Sequence, residues 1–89
     1  MLYRYYIGSN NQTGKVEEAK AVKIISKAFQ GFTVYKSLGY WSGKPEKSII
    51  VEIETEDGIA IGNMAKLLAK ELKQQAIGVA EVGSMSFVS

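Results

Sequence analysis

The sequence predicts a single α+β domain over residues 1–89, with a ferredoxin-like β-α-β-β-α-β fold in which two helices cover one face of a four-stranded antiparallel sheet. Apolar residues recur every three or four positions in two segments, which indicates helices, and in other segments every second position, which indicates strands. The hydrophobic content of 46% with 22% charged residues is typical of a folded chain. A length of 89 residues leaves room for one domain only.

The first strand and helix are predicted from a change of period. Residues 2–8 are rich in tyrosine and end in a run of turn-forming residues, 8–14, which favours a strand followed by a polar loop. From Lys15 the apolar positions follow a helical stripe. Thr13 is the expected N-cap, and Gly31 is expected to end the helix in a left-handed conformation.

A hairpin is predicted in the middle of the chain. Residues 32–41 and 49–54 alternate in polarity, and residues 42–47 are expected to form a long, charged tip. The parity points Phe32, Val34 and Leu38 towards the helices. The same parity leaves an open sheet face with Thr33, Tyr35, Ser37 and Trp41, joined by residues of the first strand.

The second half repeats the helix and strand pattern. Asp57-Gly58 opens a second helix that closes at Gln74-Gln75, and residues 76–82 form the last inner strand. Gly83 is expected to mark a bulge or kink. Because residues 84–88 alternate again, an extra C-terminal edge strand is a further expectation.

Composition narrows the function. The sequence contains no cysteine and no histidine, which excludes disulfides, thiol nucleophiles and imidazole bases. We therefore expect a binding protein without a cofactor rather than an enzyme. The acidic residues Glu52, Glu54, Glu56 and Asp57 are interpreted as a solvated strand face rather than a metal site.

The partners are bounded by charge and size. A net charge of +2 without a run of like charges argues against duplex DNA as a partner. The lysines of the first helix are interpreted as a solvated outer face: Lys15, Lys20, Lys23 and Lys27. No apolar run is long enough for a membrane span and no signal-like segment opens the chain, so a cytoplasmic protein is expected. A core this small favours a homo-oligomer.

The segment Gly39–Ser48 is the main candidate ligand site. Tyr40 and Trp41 are adjacent on a strand and so point to opposite faces, where an aromatic ring can stack on a nucleotide base. Lys44 and Lys47 can bind phosphates through their ammonium groups. An oligomer interface is the alternative for this segment, because interfaces are enriched in tyrosine and tryptophan.

The loop after the first strand is the second candidate. Ser9, Asn10 and Asn11 lead into the start of a helix, where they could hydrogen-bond a sugar or a phosphate. A polar loop that only caps the helix is the alternative. RNA binding through sheet aromatics is a secondary hypothesis, since the RNA-binding signature of such sheets is absent.

Several segments together carry a resemblance. Read in the order Tyr3–Gly8, Phe32-Thr33, Gly39–Gly43, Glu46–Ser48 and Gln75–Ile77, the chain resembles small α+β proteins encoded by bacteriophages and prophages, with the Gly-Tyr-Trp-x-Gly-x-x-Glu-Lys-Ser segment as the most specific element. Short oligomeric phage proteins include sponges that sequester the nucleotide second messengers of bacterial antiviral defence. The resemblance therefore implies a small nucleotide of the cyclic dinucleotide or cyclic ADP-ribose type as ligand.

Two alternatives stay open. The first is a protein-interaction module that docks on a host protein through its aromatic sheet face. The second is a small dimeric ferredoxin-like enzyme, which would need a carboxylate such as Glu46 or Glu81 in a pocket because no histidine is present.

Overall fold

The computed structural model describes residues 1–10 and 12–83 and confirms a small α+β fold with two helices and a four-stranded antiparallel sheet. The elements follow the predicted order. They are β1 (Leu2–Ile7), α1 (Glu18–Ser26), β2 (Thr33–Trp41), β3 (Lys44–Glu54), α2 (Gly58–Glu71) and β4 (Gly78–Gly83).

The strands lie in the order β2-β3-β1-β4, and every neighbouring pair is antiparallel. The two inner strands are thus β3 and β1. It follows that β1 runs parallel to β2 with β3 between them, and that β3 runs parallel to β4 with β1 between them. Each helix connects two strands that do not pair with each other. The strand β3 lies between β1 and β2, which α1 connects, and β1 lies between β3 and β4, which α2 connects.

The core lies between one face of the inner strands and both helices. Alternate residues of β1 and β3, among them Tyr5, Ile7 and Val51, are almost fully buried and pack on Ile25 of α1 and Leu68 of α2. Burial of one such aliphatic side chain contributes about 1.5–3 kcal/mol. The apolar stripes of both helices therefore pack against the apolar face of the sheet, as predicted.

The helix α1 is shorter than its sequence pattern predicts. It begins at Glu18, and Thr13 is not its N-cap: the Thr13 hydroxyl accepts from the Lys15 backbone N–H at 3.2 Å inside the preceding loop. Gly14, with φ +70°, lies inside that loop, and the helix N-cap is Glu17. At the other end the chain leaves the helix through a tight turn after Ser26, so Gly31 is not needed as a left-handed cap and does not have a positive φ.

The predicted long tip of the hairpin is also wrong. A two-residue turn, Ser42-Gly43, with φ of 50° and 75°, joins β2 directly to β3, and the strand pairing starts at Trp41 and Lys44. Both central residues of such a turn need a positive φ, which glycine adopts without strain. Pro45 interrupts the polarity pattern but is accommodated within β3 opposite Tyr40, beyond the end of β1.

The second half matches the sequence more closely, but the last strand is not the predicted inner strand, since β4 begins at Gly78 and lies at the edge of the sheet. The second helix begins after Asp57, as predicted, and the Asp57 carboxylate caps it by accepting from the Ala60 backbone N–H at 2.9 Å. The helix ends at Glu71, ahead of Gln74-Gln75. Gly83, with φ +122°, lies beside a shift in the β1–β4 register, which confirms the expected irregularity. The predicted extra strand falls on residues 84–88, outside the described residues.

The face of the sheet opposite the core is open along the described chain. The register places Thr33, Tyr35, Ser37 and Trp41 on this face, beside Arg4 and Tyr6 of β1, as the parity predicted. On the helix side Val34 packs against the core, whereas Leu38 is 56% exposed. Leu38 lies in the part of the hairpin beyond Ile7, where β1 no longer pairs with β3. The hairpin thus projects past the helices.

Candidate functional site

The two aromatic residues at the end of β2 are the most exposed rings of the described chain. Trp41 is 79% and Tyr40 68% exposed, and they point to opposite faces of the hairpin. Tyr40 is on the face of Lys47, which carries the helix-side residues, and Trp41 is on the open face with Lys44. The predicted ligand residues of the hairpin are therefore divided into two pairs that cannot act on one ligand from one side.

The loop candidates Ser9 and Asn10 have structural contacts. The Ser9 N–H donates to Glu46 Oε1 at 3.0 Å and the Ser9 hydroxyl donates to the Lys47 carbonyl at 2.8 Å, so this residue joins the end of β1 to the hairpin. The buried Asn10 side chain accepts from the backbone N–H groups of Gln12 and Thr13. The interpretation of this loop as a ligand site is not supported at these two positions, and Asn11 lies outside the described residues.

A small depression lies beside Trp41. It has a volume of about 430 Å³ and is bordered by Trp41, Glu46, Ser9 and the chain between α2 and β4. Among the described residues that line it, the one charged side chain is the Glu46 carboxylate, which already accepts a hydrogen bond from the Ser9 backbone N–H. A negative charge repels phosphate, so this depression is a poor partner for a nucleotide's anionic part.

A larger groove lies on the helix side of the hairpin, between its projecting strands and the residues that lead into α1. Its volume is about 990 Å³, within the range of small-molecule sites in proteins. Val16 and Ile49 give it an apolar floor. Four lysines line it: Lys15, Lys20, Lys36 and Lys47.

The charge of the groove is positive. It is lined by four lysines and by two carboxylates, Glu17 and Glu18. The Glu17 carboxylate accepts a hydrogen bond from the Asn10 amide at 3.4 Å. Within residues 1–10 and 12–83, none of the four lysines has a carboxylate at ion-pair distance. The ammonium groups are thus available to an anion.

The register explains how the hairpin lysines come together. Lys36 is opposite Ile49 and Leu38 is opposite Lys47, so Lys36 and Lys47 are diagonal neighbours on the same face. Diagonal neighbours across an antiparallel pair are about 7–8 Å apart, close enough for two ammonium groups to contact one phosphate. Lys15 and Lys20 approach from the opposite wall of the groove.

Sequence reasoning found Lys47 but missed Lys36 as a groove residue. If residues 42–47 formed a tip, as expected, residues 36–41 would not pair with residues 44–49. The signal was present in Ser42-Gly43, because a two-residue turn at that point puts Leu38 opposite Lys47 and brings Lys36 beside it. Lys15 and Lys20, which were interpreted as a solvated face, line the same groove.

The open sheet face carries a polar cluster of a different kind. Arg4 Nε donates to the Glu52 carboxylate at 2.5 Å, and this hydrogen bond lowers the pKa of Glu52. Burial, followed by the hydrogen bond to Glu52, raises the pKa of Tyr35 beside it. Because Arg4 and Glu52 pair with each other, this cluster offers a ligand fewer unpaired charges than the groove does.

The acidic residues at the end of β3 and just after it have structural partners, and the N-terminal amine of Met1 contacts Glu54 and Glu56 at 2.8 and 3.5 Å. Among the residues that the structure describes, no group of three or more acidic, histidine or cysteine side chains is arranged to hold a metal ion. Glu52 is paired with Arg4, and Asp57 caps α2.

Comparison with known proteins gives no family to which the chain can be assigned. No protein-family model matches the sequence, and no curated protein matches it significantly. In the part of the chain that the structure describes, no helix is long and apolar enough to cross a membrane.

Proposed function

We propose that this chain binds a small nucleotide in the basic groove between α1 and the β2–β3 hairpin and holds it without converting it. The observation that carries the proposal is a set of four lysines around an apolar floor, none of which has a carboxylate partner among the described residues. Phosphates bind the compact charge of lysine ammonium groups, and the apolar floor suits the ribose.

The position of Tyr40 supports a nucleotide rather than a simple anion. Its ring is exposed on the same face as Lys47, so a base could stack on it while the phosphates contact the lysines. Stacking of a base on an aromatic side chain contributes about 1–3 kcal/mol. Of the two predicted stacking residues, Tyr40 is therefore the better candidate, since Trp41 faces away from the groove.

The chemistry of the groove supports binding rather than turnover. Its polar side chains supply charge and hydrogen bonds, and the sequence contains no histidine or cysteine that would act as base or nucleophile. We propose that the protein sequesters a nucleotide second messenger of bacterial antiviral defence in the cytoplasm of the host cell, and that it has the phage origin that the Gly39–Ser48 segment suggests.

We also propose the ferredoxin-like arrangement for the fold. The support is the topology, in which β1-α1-β2 and β3-α2-β4 are each split by one strand of the other unit. An experimental structure with β1 and β3 in the middle of the sheet and both helices on one face is the expected result. A different strand order would contradict it.

Native mass spectrometry with ligand recovery tests the proposed function. The purified protein is mixed with cyclic di-GMP, cyclic di-AMP, cyclic triadenylate and cyclic ADP-ribose, with uncharged adenosine as the control. We expect one of the anionic compounds to bind in stoichiometric amount and to be released intact on denaturation, and adenosine not to bind.

Two other results would each contradict the proposed function. Release of a chemically altered compound would replace the sponge by an enzyme. Absence of binding at micromolar concentration would contradict nucleotide sequestration and favour docking on a host protein, a role for which the exposure of Trp41 is the specific support.

A further inference from the structure

The two edges of the sheet differ in how they are protected. Within the described residues, the β4 edge has six residues and an irregular register beside Gly83. The β2 edge has nine residues, pairs with β3 without a register shift, contains no proline and carries one charged side chain, Lys36. Short length, bulges, prolines and charges are the usual means of preventing edge strands from pairing with another chain. The β2 edge has almost none of them.

The turn determines which backbone groups of β2 are free. In a two-residue hairpin the residues that flank the turn, here Trp41 and Lys44, form a hydrogen-bonded pair, and such pairs alternate along the strands. The odd-numbered residues of β2 therefore bond to β3. The even-numbered residues, Val34, Lys36, Leu38 and Tyr40, direct their N–H and C=O groups away from the sheet, and no described strand pairs with them.

We propose that a second copy of this chain pairs antiparallel with β2 about a two-fold axis at Ser37, and that each partner completes the other's groove. Pairing of two identical edges with equivalent faces on the same side places one residue opposite itself. With Ser37 in that position all nine residues of β2 pair, and Lys36 lies opposite Leu38 of the partner subunit. This assignment of the second wall rests on the proposed function, whereas the dimer does not.

Charge selects this register over its neighbours. An axis at Lys36 would put Lys36 directly opposite the partner's Lys36, and directly opposed like charges are destabilising. An axis at Leu38 would put Val34 opposite the turn residue Ser42 of the partner subunit and shorten the ladder. Ser37 is the centre that uses the whole strand without opposing two lysines.

The same register brings side chains of the partner beside the exposed apolar side chains of the hairpin. Tyr40 comes to lie beside the partner's Val34 on the helix side, and Trp41 beside the partner's Thr33 on the open face. Leu38, which is 56% exposed in one copy, packs along the partner's Lys36. The exposed end of each hairpin thus lies on the base of the other.

The ligand groove gains a second wall in this dimer. The partner's Leu38 lies opposite Lys36 of the first copy, and the partner's Lys36 is a diagonal neighbour of that Lys36. Two lysines from different copies therefore approach one anion. Without an anion they repel each other weakly across solvent. Ligand binding is therefore expected to strengthen the dimer, and dimer formation to strengthen binding.

A cysteine at the proposed axis tests the register. Since the chain has no cysteine, Ser37→Cys introduces a single thiol per copy. In a non-hydrogen-bonded antiparallel pair the facing Cα atoms are about 4.5 Å apart, within the range of a disulfide. The matched control is Tyr35→Cys on the same face, whose two thiols would be separated by four residues along the strands, about 13 Å.

We expect a dimer mass for the ligand-free wild type in native mass spectrometry and a disulfide-linked dimer for oxidised Ser37→Cys, but not for Tyr35→Cys. A monomeric wild type, or equal crosslinking of both variants, would overturn the proposed interface. A second pair of variants covers the case in which Ser37→Cys does not fold.

Leu38→Lys would oppose two lysines across the interface and should weaken the dimer at least about tenfold, whereas Leu38→Glu would pair opposite charges and should not. Equal dimer constants for these two variants would also contradict the register. A stable dimer that binds no nucleotide would refute the proposed function and leave the interface intact. A monomer that binds a nucleotide would do the reverse.

Discussion

At the scale of single residues, Tyr5 connects the sheet to the second helix. Its ring is almost fully buried in the core, and its hydroxyl donates to the Ile61 carbonyl in α2 at 2.6 Å. Burial raises the pKa of Tyr5 well above its ordinary value of 10.0. The residue therefore contributes both apolar area and a hydrogen bond that crosses from β1 to α2.

Replacing Tyr5 by Phe keeps the ring and removes the hydrogen bond. We expect the free energy of unfolding at neutral pH to fall by about 1 kcal/mol, measured by urea denaturation. Because the folded-state pKa of Tyr5 is raised, its contribution is complete below the unfolded-state pKa near 10 and is lost as the pH rises above it. The difference between wild type and variant should thus narrow above pH 10, and a constant difference would contradict this assignment.

At the scale of elements, the β2–β3 hairpin determines the site. The sequence was sufficient to predict the strands, the amphipathic faces of both helices and the start of α2 at Asp57-Gly58, because each depends on local period or local hydrogen bonding. It was not sufficient for the turn, since Lys44 to Lys47 are as polar as a loop. Their strand conformation comes from pairing with Leu38 to Trp41, a tertiary contact that local polarity does not report.

Gly43 is the residue on which the turn depends most. Its φ of 75° is left-handed, a conformation that costs other residues about 1–2 kcal/mol. Gly43→Ala should therefore lower the free energy of unfolding by about 1 kcal/mol in chemical denaturation. Gly31→Ala is the control, because Gly31 lacks a positive φ and a Cβ there meets no atom within 4 Å, so that change should be neutral or stabilising by about 0.4–1 kcal/mol. An equal loss in both variants would rule out the turn as its cause.

At the scale of the whole molecule, the groove forms because the β2–β3 hairpin of the sheet extends beyond α1. The hairpin extends beyond Ile7, and the loop that starts α1 lies against its helix-side face, with Ser9 holding the two together. Lysines that are far apart in sequence meet there. The individual lysines were visible in the sequence, but their convergence depends on the hairpin register and on the crossover from β1 to α1.

A charge-driven site of this kind has a recognisable dependence on salt. Its lysines are exposed to solvent, and ionic screening shortens the range of their attraction to about 8 Å at physiological ionic strength. The affinity of the groove for a phosphate-bearing ligand is therefore expected to decrease as salt is added, while the stability of the apolar core changes little.

The most direct measurement of the groove's role is a calorimetric titration of three proteins with the nucleotide that the wild type binds. They are the wild type, the groove variant Lys36→Glu/Lys47→Glu and the control Lys23→Glu/Lys66→Glu, which changes the net charge equally at exposed helix positions that do not line the groove. We predict that the groove variant loses at least about tenfold in affinity, about 1.4 kcal/mol, and that the control binds as the wild type does. Equal affinities for the two variants, both folded, would contradict the assignment of nucleotide binding to this groove.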